Sequence, residues 1–351
     1  MKKKNIFKKI TLFLVIINFC NAELREVIVP VTDLKIKPFK SKEKFEYPLF
    51  SEKVPHQDSQ LLLGEYIYST GNENVVDSEK WIVVETLEQT KCDELKLEFK
   101  TGWVKETDTK KIDYIQNKKI VVINNWAQVY SLKNKPWFNV SIGTKFYCLK
   151  LGFEKCMIEL PGKKKGYINS KDVAYFSHFD LRENNLRKSI LKKYENFLEI
   201  PYSWGARSSF DPEYPKQTGF DCSSFVNLLY RTMGLEIPRD AKDQYNYCNK
   251  IKWGSELETG DLIFLADKKT PEKINHVLLY LDGENIQESI GSAEPFKNRI
   301  TTFKEKIGKM KNKITSGNQY GKKIVYLGSL LNNPTKREEM RRFFFNYDLM
   351  D

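Results

Sequence analysis

The sequence predicts an α+β protein in which two small β-barrels precede a domain of helices and antiparallel strands. Three observations predict it: a strand-and-turn texture from about residue 23 to 175, a short segment that nearly repeats within it, and a switch to helical spacing after His178 that gives way to apolar strands.

The chain opens with Met-Lys-Lys-Lys-Asn-Ile-Phe-Lys-Lys and an apolar run from Ile10 to Phe19, the charged-then-apolar layout of a secretory leader. A membrane-spanning helix needs about 20 apolar residues, and this run is about half that. It ends in Cys20-Asn21-Ala22, a small-x-small pattern that predicts cleavage after Ala22 and export to the periplasm, envelope or exterior. No stable membrane anchor is expected, and bulky Phe19 disfavours acylation of Cys20.

Removal of the five leader lysines lowers the formal charge from +12 to +7. A basic exported protein suits anionic polymers outside the cell, and export excludes nucleic acid as a partner; solvated lysines account for the charge equally well. Six cysteines in 351 residues are too few for a disulfide scaffold in a chain long enough to bury apolar cores. Five remain after the leader, an odd count that leaves one thiol unpaired even where thiols tend to pair. No CxxC pair and only three histidines argue against zinc.

Residues 23–118 form the first expected barrel, with stretches such as Glu65-Tyr66-Ile67-Tyr68 and Lys80-Trp81-Ile82-Val83-Val84 between Gly, Asn and Asp. Residues 119–176 form the second. Gly102-Trp103-Val104 before Lys-Glu-Thr-Asp matches Gly166-Tyr167-Ile168 before Asn-Ser-Lys-Asp, which predicts two copies of one barrel. Residues 177–351 form the third domain. Apolar spacing predicts a helix over Asp180 to Ile200 and a second, amphipathic one over Cys222 to Met233. Leu262 to Leu265, His276 to Leu281 and Ile324 to Leu327 read as strands, and the charged stretches Thr301 to Lys313 and Lys336 to Asp351 as surface helix.

Cys222 stands where a loop becomes that second helix. Unpaired N–H groups and the dipole at a helix start favour thiolate, and the same N–H groups can receive an oxyanion. A nucleophilic thiol needs a base that also protonates the leaving group, and His276, opening the best strand, suits both tasks. His56 and His178 lie outside this domain's core elements and are read as structural. A third polar group usually orients the imidazole. The next strand, Asn285 to Ser289, offers Gln287 or Glu288, and alternation lets only one face the site.

Five spaced segments then show a resemblance. Pro201-Tyr202-Ser203-Trp204-Gly205, Phe220-Asp221-Cys222-Ser223-Ser224-Phe225-Val226, Ile237-Pro238-Arg239 with Asp243-Gln244, Gly260-Asp261-Leu262-Ile263-Phe264-Leu265 and Asn275-His276-Val277 resemble, in order, the signatures of the NlpC/p60 family of papain-like cell-wall endopeptidases. The resemblance covers about residues 180–330. It implies hydrolysis of peptidoglycan stem peptides, commonly between γ-D-glutamate and a diamino acid, without metal or organic cofactor. The front, Asp58 to Glu65 with Trp81 and Gly102-Trp103-Val104, resembles the first of two bacterial SH3-like barrels in a three-domain subgroup. That subgroup trims fragments whose L-alanine has a free amino terminus, and the resemblance implies that Tyr202, Asp221 and Ser223 clasp the ammonium. The chain departs from the pattern at Ala206, where a second glycine is frequent, over the wide loop Arg207 to Gln217, and at the third residue, frequently histidine. A different reading keeps the two barrels as wall-binding modules on an inactive peptidase domain, and another makes the third domain an amidase or acyltransferase.

Overall fold

The structure, a computed structural model, describes residues 22–38, 56–209 and 219–345. The expected leader lies outside the described residues except for Ala22, as do most of the loop before the nucleophile and the last six residues of the tail. Among the described residues no helix is long and apolar enough to cross a membrane.

Seven strands between Glu23 and Lys111 form one sheet, and seven between Ile120 and Tyr175 form another. Counted from its own first strand, each sheet runs third, second, sixth, fifth, fourth, first, seventh. The two similar Gly-aromatic segments fall on the sixth strand of each, Lys96–Lys105 and Lys164–Asn169, and each strand leads through one 3-10 turn into a three-residue last strand. The glycines let the second strand cross closely. A Cβ on Gly102 would lie 2.7 Å from Leu34 Cγ, and one on Gly166 would lie 2.9 Å from the Tyr130 carbonyl oxygen.

The third unit holds helices α1 (Glu183–Lys193), α2 (Cys222–Arg231), α3 (Ala241–Tyr247), α4 (Phe303–Ile307) and α5 (Pro334–Phe345). Its antiparallel sheet runs Asn249–Ile251, Lys323–Ser329, Leu262–Asp267, Ile274–Asp282, Asn285–Ser289, Asn298–Thr302. Helices before sheet is the expected α+β order, with three differences. α1 stops at Lys193, where a 3-10 turn, Tyr194–Phe197, tucks Phe197 into the core. α3 was not anticipated, because Ala-Lys-Asp-Gln-Tyr-Asn-Tyr carries little apolar period. The stretch read as helix from Thr301 to Lys313 is α-helical only over α4, which ends at Gly308 in the left-handed region (φ 82°).

α2 is buried on every side rather than amphipathic. Phe225, Val226, Leu228 and Leu229 pack on Leu262, Phe264, Val277, Leu279 and Leu281 of the sheet, and burial of each such side chain contributes about 1.5–3 kcal/mol. Its two large polar residues are satisfied inside. Asn227 donates to the Ile237 carbonyl, and Arg231 donates to the Gly143 and Glu88 carbonyls and pairs with Glu65, Glu88 and Glu236. Glu88 also pairs with Lys118 and Lys145, and Arg207 pairs with Glu65. This buried joint of three carboxylates and four cations draws on the first sheet, the second sheet and α2. It ties the first and second sheets to the last residue of α2, the opposite end of the helix from Cys222.

Candidate active site

Asp221 caps α2. Its backbone is extended (φ −82°, ψ 179°), and one carboxylate oxygen accepts the N–H groups of Ser223 and Ser224. Aspartate is a preferred N-cap because it fills donors that the helix leaves unpaired. The next residue, Cys222, is thereby fixed at the floor of a cleft of about 390 Å³.

The sulfur takes the backbone N–H of Val277, the residue after His276, so it lies against the strand that carries the imidazole. Pairing on this strand is irregular at that place: Leu265 faces His276, Ala266 faces Ile274, and Asn275 is skipped. Such a bulge bends a strand and re-aims its side chains. Ile274 and Asn275 both line the cleft. Among the described residues no hydrogen bond joins the Cys222 sulfur to the His276 ring.

His276 Nε2 lies 2.9 Å from Glu288 Oε2. Of the two residues offered by the next strand, Glu288 therefore meets the imidazole. Gln287 does not: alternation sends it to the opposite face, where its amide donates to the Tyr194 carbonyl and to Asn298. Glu288 is fully buried and also pairs with Arg299 (3.0 Å) and Lys306. Burial alone would raise its carboxyl, but the hydrogen bond and charge of His276 and the Lys306 ammonium outweigh it and hold it at about 2. A carboxylate so ionised only accepts, so Nε2 carries the proton and Nδ1 of the neutral ring keeps its lone pair. Burial lowers the His276 pKa below the ordinary imidazole value, against the pull of Glu288.

The thiol does not behave as a bare helix start would make it. Burial, then the Asp221 charge, push Cys222 up to about 12, against the Val277 N–H and the Arg239 charge. The expectation of a lowered pKa fails first because the thiol is buried, and second because the cap places a negative charge at the helix end. The cap also takes the Ser223 and Ser224 N–H groups, whereas the Cys222 N–H meets no group but its own sulfur among the described residues.

Tyr202, Asp221 and Ser223 all line the cleft. The Tyr202 ring lies flat against Gly291, where a Cβ would come within 2.2 Å of it, and burial followed by the charges of Cys222 and Asp221 raises its pKa. Asp221 has little left to offer a ligand. Its oxygens accept from Gly205, Ser223, Ser224 and both terminal nitrogens of Arg239, whose nearer contact is 2.7 Å. Arg239 also holds Ser223 Oγ at 3.0 Å and, across from the first sheet, Ser59 Oγ at 2.9 Å. Arg239, named above only as part of the third motif, is a fully buried strut under the cleft.

The sequence reading missed the far wall. Ile36, Gln57 and Asp58 of the first unit line it with Asp240 and Lys242, and so does His56, set aside above as structural. Lys100 bridges Asp58 (3.0 Å) and Asp240 (2.7 Å) across the two units. The segment Pro238-Arg239-Asp240-Ala241 carried a usable signal, an aspartate just ahead of a helix.

Comparison with known proteins agrees with this geometry. The NlpC/P60 family model matches residues 199–311. A Bacillus cereus protein named gamma-D-glutamyl-L-lysine dipeptidyl-peptidase is 28% identical over 151 residues, 43% of this chain and 42% of that relative. Peptidoglycan endopeptidase RipB of Mycobacterium tuberculosis is 34% identical over 109 residues, 30% of this chain and 43% of the relative. The chain thus spans less than half the length of either. The crystal structure of an NlpC/P60 family protein from Bacillus cereus shares the fold over 88% of this chain and 99% of its own, with a TM-score of 0.63 at 22% identity. Residues 199–311, which hold Cys222, His276 and Glu288, form a domain of the NlpC/P60 family.

Proposed function

We propose that the protein is an exported cysteine peptidase that hydrolyses peptidoglycan stem peptides, with Cys222 as nucleophile, His276 as base and Glu288 as the group that orients it. The observation that carries the reading is a cleft-floor thiol held against the strand whose imidazole has a fixed tautomer. The resting pair is a thiol and a neutral imidazole, so Nδ1 takes the thiol proton as the sulfur attacks the scissile carbonyl. Catalytic hydrogen bonds are often long in an empty site and tighten once substrate binds. The Cys222 N–H supports the oxyanion. The imidazolium, stabilised by Glu288, gives its proton to the leaving amine, and water attacking the thioester returns the free thiol.

The name of the Bacillus cereus relative supports a γ-D-glutamyl-diamino acid bond as the target. We read the first two sheets as SH3-like units, the first of which closes one end of the cleft. Because Asp221 is matched at 2.7 Å by Arg239, the ammonium of a free L-alanine is assigned to Asp58 and Asp240, which share Lys100, with Arg239 standing farther from Asp240 at 3.7 Å. Tyr202 supplies the adjoining wall and Ser223 steadies Asp221.

Cys222→Ala assayed on purified muropeptides tests the reading. Loss of turnover with unchanged melting supports it, and turnover equal to the parent's removes it in favour of a wall-binding protein with an inactive peptidase domain. Resistance of stems with blocked L-alanine supports the ammonium assignment.

A further inference from the structure

The end of the second sheet remote from the cleft lining carries an apolar surface that the peptidase reading does not use. No residue between 120 and 175 lines the cleft. Three turns meet at this end. Lys155, which opens the strand Lys155–Leu160, donates to Asn134 in the turn between the strands Trp126–Tyr130 and Pro136–Ser141. Ser170, in the turn after Lys164–Asn169, donates its hydroxyl to the Gly152 carbonyl and its N–H to the Glu154 carbonyl. The three turns are therefore fixed to one another, and Lys155 is further held over the Tyr130 ring, 3.8 Å from its centre.

From this rigid end project Leu132, Trp137, Leu149, Leu151 and Phe153. Phe153, at the tip of its turn, is completely exposed (101%), and Leu151 is 62% exposed. Single exposed apolar residues are ordinary, but large ones gathered on tied turns mark a contact surface. Around them stand Lys133, Lys135, Lys150, Lys155 and Lys171, and the acids within the three turns are Glu154 and Asp172, the latter buried against Asn124 and Asn169. Protruding Leu, Phe and Trp ringed by lysines match a fluid anionic surface, into which apolar tips sink while long lysine stems keep their charges at headgroup level.

We propose that this end of the second sheet is a reversible docking surface for a bilayer containing anionic phospholipid, with Phe153 and Leu151 inserted below the headgroups. Docking there leaves the cleft lining untouched.

The test uses the full chain with vesicles of phosphatidylglycerol and phosphatidylcholine, against phosphatidylcholine alone, read by co-sedimentation and by hydrogen exchange of the turn amides. The leader is common to all variants, and the exchange readout is local to the turns. Expected is binding to the anionic vesicles that weakens with salt, with slowed exchange at residues 131–135 and 150–155. The double variant Leu151→Ser, Phe153→Ser should lose that protection and bind at least about tenfold more weakly, while melting and turnover of soluble stem peptide stay at parent values. Lys133→Gln with Lys150→Gln should weaken binding by about fivefold per lysine and flatten the salt dependence. Absence of protection in the turns, or protection unaltered by the double variant, overturns the proposal. So does protection of the same turns by isolated cell-wall polymer and not by vesicles, which would make this a wall-binding surface.

Discussion

Replacing Glu288 by glutamine tests the candidate site most directly, because it keeps the shape of the side chain and removes the charge that faces His276. In the parent, the carboxylate accepts from Nε2 at 2.9 Å and favours the protonated ring, which opposes the lowering of the imidazole pKa by burial. The variant loses that opposition and keeps two nearby cations, Arg299 and Lys306. All three effects act in one direction, so the imidazole pKa falls further. A hydrogen bond to a charged group contributes about 1.5–3 kcal/mol, and 1.36 kcal/mol is one pKa unit. The acid limb of kcat/KM, where the base is lost as pH falls, should thus move about one to two units towards lower pH. The same energy is missing when the imidazolium forms during attack, so the plateau rate should drop about 10- to 150-fold. The assay is a pH profile of stem-peptide cleavage with melting as a control for folding. An acid limb that stays in place or moves upward, or a plateau equal to the parent's, would refute the assignment of Glu288.

Asp221→Asn removes the charge that helps to raise the Cys222 thiol, so alkylation by iodoacetamide at pH 9 should be faster than in the parent, although Arg239 loses its counter-charge and melting falls. Gly291→Ala drives a methyl group into the Tyr202 ring, which should cost about 1–3 kcal/mol in urea unfolding and raise KM more than it lowers kcat. Arg231→Met strips Glu65, Glu88 and Glu236 of a buried partner, and a loss of about 3–5 kcal/mol is expected by urea denaturation.

The third unit was legible where the sequence imposes a period or a cap. Leu262 to Leu265 and His276 to Leu281 announce strands whose alternate residues pack on α2 or face away, and the structure extends each by only a few residues. Both Gly-aromatic segments are legible for a steric reason, since each marks a crossing too close for a Cβ. The choice between Gln287 and Glu288 was not, because it depends on which face the bulge at Asn275 gives to His276. The thiol was misjudged chiefly because its burial depends on the fold, and in part from information already present: aspartate directly before a helix is a cap, and its charge belongs in the account of the neighbouring sulfur. Arg207 and Arg239 were noted only as parts of a loop and a motif, and Arg231 and Lys145 were passed over, although all four are buried. A charged residue is buried only when partners from distant segments meet it, and Glu65 to Arg207 or Glu88 to Arg231 are pairings that no local pattern reports.

That joint bears on how such a chain could be divided. A beads-on-a-string layout would allow the two front units to be cut away, exchanged or lengthened at their linkers without harm to the third. Here a cut near residue 118 would take Glu65 and Glu88 from Arg207 and Arg231, leaving them Glu236 alone, and would also leave Lys145 without Glu88. A graft between relatives would have to carry all seven charged positions together, and so the three segments behave as a single inherited piece.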